Sequence, residues 1–149
     1  MKYELIYNKF FSKIDDPKLT SYNDEILYEI LNDYLTSTLS IPEIRKLFKT
    51  IKKNDFKETL TYELNVSIDE FSDVNFIVEI LAMGMVIQWM TQKIDTVLSF
   101  STILGGKEEK MIRNEYRANK ERLKELKVEL KKIIRDSNYI DNSYIRGDS

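Results

Sequence analysis

The chain has 149 residues, 42% of them apolar and 32% charged, with a formal net charge of −2 and neither Cys nor His. That length suits one domain with a real core, and the mixture is that of a folded protein rather than a disordered one. The two missing residue types exclude disulfide staples, zinc fingers, thiol nucleophiles, Ser-His triads and imidazole acid-base chemistry in their usual forms, which removes most common enzyme mechanisms.

The opening MKYELIYNKFF mixes Lys2, Glu4 and Lys9 into its apolar residues. It lacks the uninterrupted apolar run and small-residue cleavage site of a secretory signal, so synthesis in a cytoplasm is expected. Tyr3, Ile6, Tyr7, Phe10, Phe11 and Ile14 share one face of a first helix that stops before Asp15-Asp16-Pro17. Ser21 and Asn23 offer N-cap oxygens for a second helix, with Ile26, Leu27, Ile30, Leu31, Tyr34 and Leu35 on one stripe. Pro42 opens a short third helix, predicted to run to about Thr50.

The period then changes. Leu60, Tyr62, Leu64 and Val66 alternate with Thr59, Thr61, Glu63 and Asn65, the rhythm of a strand or extended arm over residues 59–66, or of a loop that alternates by chance. No second strong strand is visible in the chain. An apolar-faced strand is unstable alone, so this one is expected to pair with a neighbouring subunit or to lie over its own helices.

From Val74 to Met90 the sequence is nearly continuously apolar, broken only by Asn75, Glu79, Gly84 and Gln88. A helix apolar on nearly every side must be buried on several faces, and a small chain has few elements to cover it, so other subunits are expected to help. A membrane span is disfavoured, because the run reaches only about 26 Å against a hydrocarbon core of about 30 Å. Ser72 or Asp73 is the expected cap, and the helix continues through Ile94, Val97 and Leu98 toward Leu104 before Gly105-Gly106 breaks it.

A charged return helix follows from Lys107 to Asp136. Its eleven Lys or Arg against seven acids give +4, leaving −6 on the rest of the chain. Tyr116, Leu123, Leu130 and Ser137 recur every seven residues with Asn119, Leu126 and Ile133 between them, a coiled-coil-like seam that packs back along the preceding helix. Residues 137–149, SNYIDNSYIRGDS, read as an exposed tail carrying Tyr139, Ile140, Tyr144 and Ile145.

Chemistry is scarce. The acids Asp15, Asp16, Asp24, Asp55, Glu58, Asp69 and Glu70 have neither EF-hand spacing nor a paired-carboxylate context, and capping or solvation explains them better. Gly105-Gly106-Lys107 lacks the rest of a phosphate-binding loop. Arg146-Gly147-Asp148 is a three-residue coincidence in a tail. Trp89 reads as core packing, and Glu79 as a helix-helix hydrogen bond or an intersubunit ion pair. No catalytic residue, cofactor or metal ligand is expected.

Several segments in order carry a resemblance. The short N-terminal helices, KKNDF at Lys52 to Phe56, the entry IDEFSDVNFIVEILAMGMVIQWM, the continuation KIDTVLSFSTILGGKE and the return ANKERLKELKVEL resemble the helical head-to-tail connector proteins of tailed bacteriophages of low-GC Gram-positive hosts. The resemblance spans about Met1 to Asp136; its most specific part is Val86-Ile87-Gln88-Trp89-Met90 with Ala118-Asn119 and Leu123-Lys124-Glu125-Leu126.

The fold expected is mainly α. It is a small helical bundle over residues 1–136 with a long buried helix, an antiparallel C-terminal return helix and one strand-like arm, followed by an extended tail over 137–149. The resemblance implies a non-enzymatic virion protein made in the host cytoplasm, a dodecameric ring beneath the portal protein that extends the DNA channel and meets the next neck or tail component. Tyr62, Leu64, Glu79, Trp89, Tyr139, Ile140, Tyr144 and Ile145 are the expected subunit or partner contacts. Lys107, Lys110, Arg113, Arg117 and Lys120 are the residues expected to face passing DNA, with no sequence-specific binding and no membrane. Two other classes stay open. One is a small cytoplasmic helical adaptor or regulator dimerising through the Tyr116–Ile133 seam; the other is a carboxylate-and-metal enzyme.

Overall fold

The computed structural model describes residues 1–101 and 107–140, with the backbone alone for 98–101 and 107. Its elements run α1 (Tyr3–Phe11), α2 (Pro17–Thr20), α3 (Asp24–Leu39), α4 (Pro42–Arg45), β1 (Phe48–Asn54), β2 (Thr59–Leu64), α5 (Glu70–Ser101) and α6 (Lys107–Arg135). The protein is mainly helical, with α1, α3 and α6 packed around α5. The Gly105-Gly106 break lies outside the described residues.

Local chemistry sets the helix starts. Asp16 accepts the Leu19 N–H at 3.2 Å to cap α2, and Asn23 accepts the Ile26 N–H at 2.9 Å to cap α3. The long helix begins earlier than Ser72 or Asp73. Asp69 caps it by accepting the Ser72 N–H at 2.7 Å, while Asp73 folds back to accept the Ile68 N–H at 3.0 Å and the Ser67 hydroxyl at 2.5 Å. Asp73 therefore ties the linker from β2 onto α5. Burial pushes its carboxyl up, but the bonds from Ser67 and Ile68 outweigh that and hold it below the ordinary range.

A carboxyl whose folded pKa is depressed contributes stability above its unfolded value, about 3.9, and loses it as pH falls through the folded one. Asp73→Asn is therefore expected to be less stable than the parent near neutral pH, with the difference closing below about pH 4. Urea titrations across that range check it; a difference that persists unchanged in acid would mean that the charge of Asp73 contributes nothing.

The third helix is shorter than expected. It ends after one turn at Arg45, and the chain then enters β1, which pairs antiparallel with β2 through Ile51↔Tyr62, Lys52↔Thr61 and Lys53↔Leu60. The arm at residues 59–66 thus has its partner inside the chain, contrary to the expected intersubunit pairing. Its other edge is also engaged. Leu60 N–H donates to the Met1 carbonyl at 2.7 Å, the Met1 ammonium donates to the Leu60 carbonyl at 2.9 Å, and Tyr3 N–H donates to the Glu58 carbonyl at 2.9 Å. Both sides of β2 therefore have backbone partners, which removes the instability of a lone strand.

The chain also covers α5 without help. Every residue from Ile80 to Ile87 is buried. By length and composition Glu70–Val97 could cross a membrane, yet its apolar faces meet α1, α3 and α6. The expectation that other subunits must cover it is overturned, because the hairpin and short helices complete the core with Phe48, Leu60, Leu64 and Ile44. On α6 the predicted seam holds. Leu126 and Leu130 are buried, Tyr116, Asn119, Leu123 and Ile133 half-buried, and their partner is α5 of the same chain. A dimer built through that seam would have to displace α5.

Gly84 marks the closest approach of α3 to α5. A Cβ there would collide with Cγ2 of Thr38 and lie 3.2 Å from Ile44 Cδ1. Thr38 cannot retreat easily: it is fully buried, stiff at χ1, and its hydroxyl donates to the Tyr34 carbonyl at 2.8 Å. Overpacking of this kind costs about 1–3 kcal/mol, which exceeds the roughly 1 kcal/mol that Ala gains over Gly in a helix. Gly84→Ala is expected to be destabilising, and Thr38→Ser in the same chain to recover most of the loss by removing the methyl. Equal stability of the single and double variants in thermal melts would contradict that contact.

Candidate functional site

Most residues expected at subunit contacts are used within the chain. Tyr62 is half-buried and meets Phe48 edge-on, ring centroids 6.1 Å apart, and Leu64 is in the core. Glu79 on α5 reaches Lys9 of α1 at 3.6 Å and Lys13, just past the end of α1, at 2.5 Å, so its ion pairs lie within one chain rather than between two subunits. Trp89 is buried at 8% exposure; its indole N–H donates to Asp16 at 2.8 Å and Lys93 stands 4.5 Å over the ring. Burial pushes the Asp16 carboxyl up, but the bonds from Trp89 and from the Leu19 N–H prevail and leave it below the usual range.

The expected exposed tail is corrected at its start. Ser137 to Ile140 turn back onto α5, where the Tyr139 ring stacks on Phe76 with centroids 4.2 Å apart and planes 9° from parallel. Ile140 is half-buried against the same core. Tyr144 and Ile145 lie outside the described residues. Burial first, then the nearby Asp73 carboxylate, push the Tyr139 phenol up to about 12. Its hydroxyl has no partner at hydrogen-bonding geometry.

The cationic set is a surface. Lys110, Arg113, Arg117 and Lys120 are all exposed on α6, and Lys107 opens the helix with its side chain outside the described residues. Arg113 pairs with Glu109 at 2.6 Å, and Lys120 lies 5.5 Å from the centre of the Tyr116 ring. The stripe runs further along α6 than the expected set, which ended at Lys120. Lys110, Arg113, Arg117, Lys120, Lys124, Lys127 and Lys131 follow one another three or four residues apart, one position past the seam, with no acid among them. At about 1.5 Å per residue that row is about 32 Å long. Alongside it runs a 700 Å³ groove lined by Arg117, Lys120, Glu121, Leu123, Lys124 and Lys127. The signal for the last three cations was the seam register shifted by one.

The counterpart is α3. It carries Asp24, Glu25, Glu29 and Asp33 and no Lys or Arg. Two exposed apolar residues, Ile26 and Tyr28, stand on it, and Tyr22 is exposed just before its cap. A 390 Å³ cleft beside it, between α3 and α5, is lined by Asp16, Tyr22, Ile30, Tyr34, Trp89 and Lys93 among others. Elsewhere Phe56 at the tip of the β1–β2 hairpin is 96% exposed and Phe71 in the first turn of α5 is 80% exposed. Among the described residues no group of three or more acids could hold a metal ion. The arrangement presents surfaces of opposite charge and exposed aromatic anchors, which suit binding between macromolecules. No protein-family model, no curated protein and no solved structure matches the chain.

Proposed function

We propose that the protein is a structural subunit of a tailed-phage neck, a head-to-tail connector that forms an oligomeric ring beneath the portal and carries the DNA channel toward the next neck or tail component. The sequence resemblance supplies the family, and the helical fold is consistent with it. The observation that carries the reading furthest is the α6 stripe, a straight row of cations with little to neutralise it inside the chain. Lys110, Arg113 and Arg117 would meet the sugar-phosphate backbone without reading sequence, through contacts weak enough for DNA to slide. Twelve copies is the number the resemblance implies.

The alternative, a cytoplasmic adaptor dimerising through the C-terminal seam, loses support because α5 occupies that seam. Electron microscopy of the chain mixed with portal tests the proposal. A ring of added density on the portal is expected; a portal unchanged by saturating protein would refute the connector role. Charge reversal at Lys110, Arg113 and Arg117 tests the channel, since DNA retention in assembled particles should fall.

A further inference from the structure

The outward faces of α3 and α6 differ in charge: α3 carries acids and no cation, and the α6 groove has four cations to the single acid Glu121. On α3, Glu25, Ile26, Glu29 and Asp33 point away from the core, with Tyr22 exposed just before the helix cap, and the helix meets the core through Leu31, Tyr34, Leu35 and Thr38. Glu25, Glu29 and Asp33 are spaced four apart and span about 12 Å; on α6, Lys120, Lys124 and Lys127 span about 10.5 Å. None of Glu25, Glu29, Asp33, Lys120, Lys124 or Lys127 forms an ion pair among the described residues. The apolar parts correspond too. Tyr22 and Ile26 are 38% and 42% exposed, and the α6 groove offers Leu123 and the aliphatic stems of its lysines.

We propose that α3 of one copy of the chain seats in the α6 groove of a second copy, placing Glu25, Glu29 and Asp33 opposite Lys120, Lys124 and Lys127. The two patches belong to different helices, so each copy has one of each to offer and contacts can propagate from subunit to subunit until they close. The contact deepens the ring reading and rests on it for closure into a ring. It ends near Lys120, which leaves Lys110 and Arg113 beyond it and open to a polyanion.

The test uses the full chain in two variants, Glu25→Lys/Glu29→Lys/Asp33→Lys and Lys120→Glu/Lys124→Glu/Lys127→Glu. All six positions are exposed, so circular dichroism and thermal melts should match the parent. By light scattering and sedimentation the parent should associate at low salt and dissociate as salt rises. Each variant alone should associate at least tenfold more weakly, because like charges would face each other, and an equimolar mixture should recover assembly. Recovery of large closed complexes supports the contact and the ring together. Recovery that stops at two subunits supports the contact and overturns the ring. A parent that stays monomeric at low salt, or variants that assemble as the parent does, overturn the contact and leave the portal experiment to judge the connector role. Loss of DNA co-sedimentation in the α6 variant with assembly unchanged would likewise overturn it, assigning the stripe to nucleic acid.

Discussion

Trp89→Ala is expected to lower the stability of the protein by about 3–5 kcal/mol, the range for deleting a large buried aromatic side chain. Three effects act in the same direction. The ring leaves a cavity between α5 and the segment that enters α2, Lys93 loses the aromatic face beneath it, and the Asp16 carboxylate loses its indole donor. Trp89→Phe separates them, since it keeps most of the apolar volume and removes only the N–H. Its cost should be nearer about 1.5–3 kcal/mol, the scale of one hydrogen bond to a charged group. Asp16→Ala adds the loss of the α2 cap, typically about 1 kcal/mol. Trp89 is the only tryptophan, so its emission reports the same site directly. Denaturant unfolding of the three variants checks the ranking, and a Trp89→Ala protein as stable as the parent would place the ring outside the core.

The helical part of this fold could be read because its signals are long. The stripe of α1, the stripe of α3 from Leu27 onward and the seven-residue repeat of α6 each extend over two turns or more and face α5 or its surrounding core, whereas Ile26, expected on the α3 stripe, is exposed. The strand β1 was hidden by a competing period. Ile44, Leu47, Phe48 and Ile51 are spaced as on a helix, and within β1 itself only Phe48 and Ile51 are apolar, so the stretch from Pro42 to about Thr50 reads as a helix. Missing β1 made β2 look unpaired and made α5 look uncovered. Two expectations of intersubunit contact followed from one misread segment. Asp69 is hard to recognise as the cap because the apolar run begins only at Val74, although its carboxylate takes the Ser72 N–H of the first turn. The charge stripe of α6 was legible from sequence through Lys120; that Lys124 and Lys127 stand on the same open face required the structure.

Tyr139→Ala should cost about 3 kcal/mol, at the lower end of the range for deleting a buried aromatic side chain. Composition gave no sign of this. Ser137, Asn138 and Tyr139 look like the start of a solvated tail, and the stack on Phe76 joins residues far apart in sequence. The structure also separates the ring from its hydroxyl. The ring contributes buried area and stacking, whereas the hydroxyl sits beside the Asp73 carboxylate without a hydrogen bond of good geometry. Tyr139→Phe keeps the first and removes the second, so it is expected to be at least as stable as the parent. If Tyr139→Ala costs nothing, the segment after α6 is not part of the core. If Tyr139→Phe costs as much as Tyr139→Ala, the hydroxyl holds the segment, and its acceptor must be the Asp73 carboxylate that pushes the phenol up. The pair thus decides whether the C-terminal turn is held on α5 by packing or by a bond to the residue that ties β2 to the same helix.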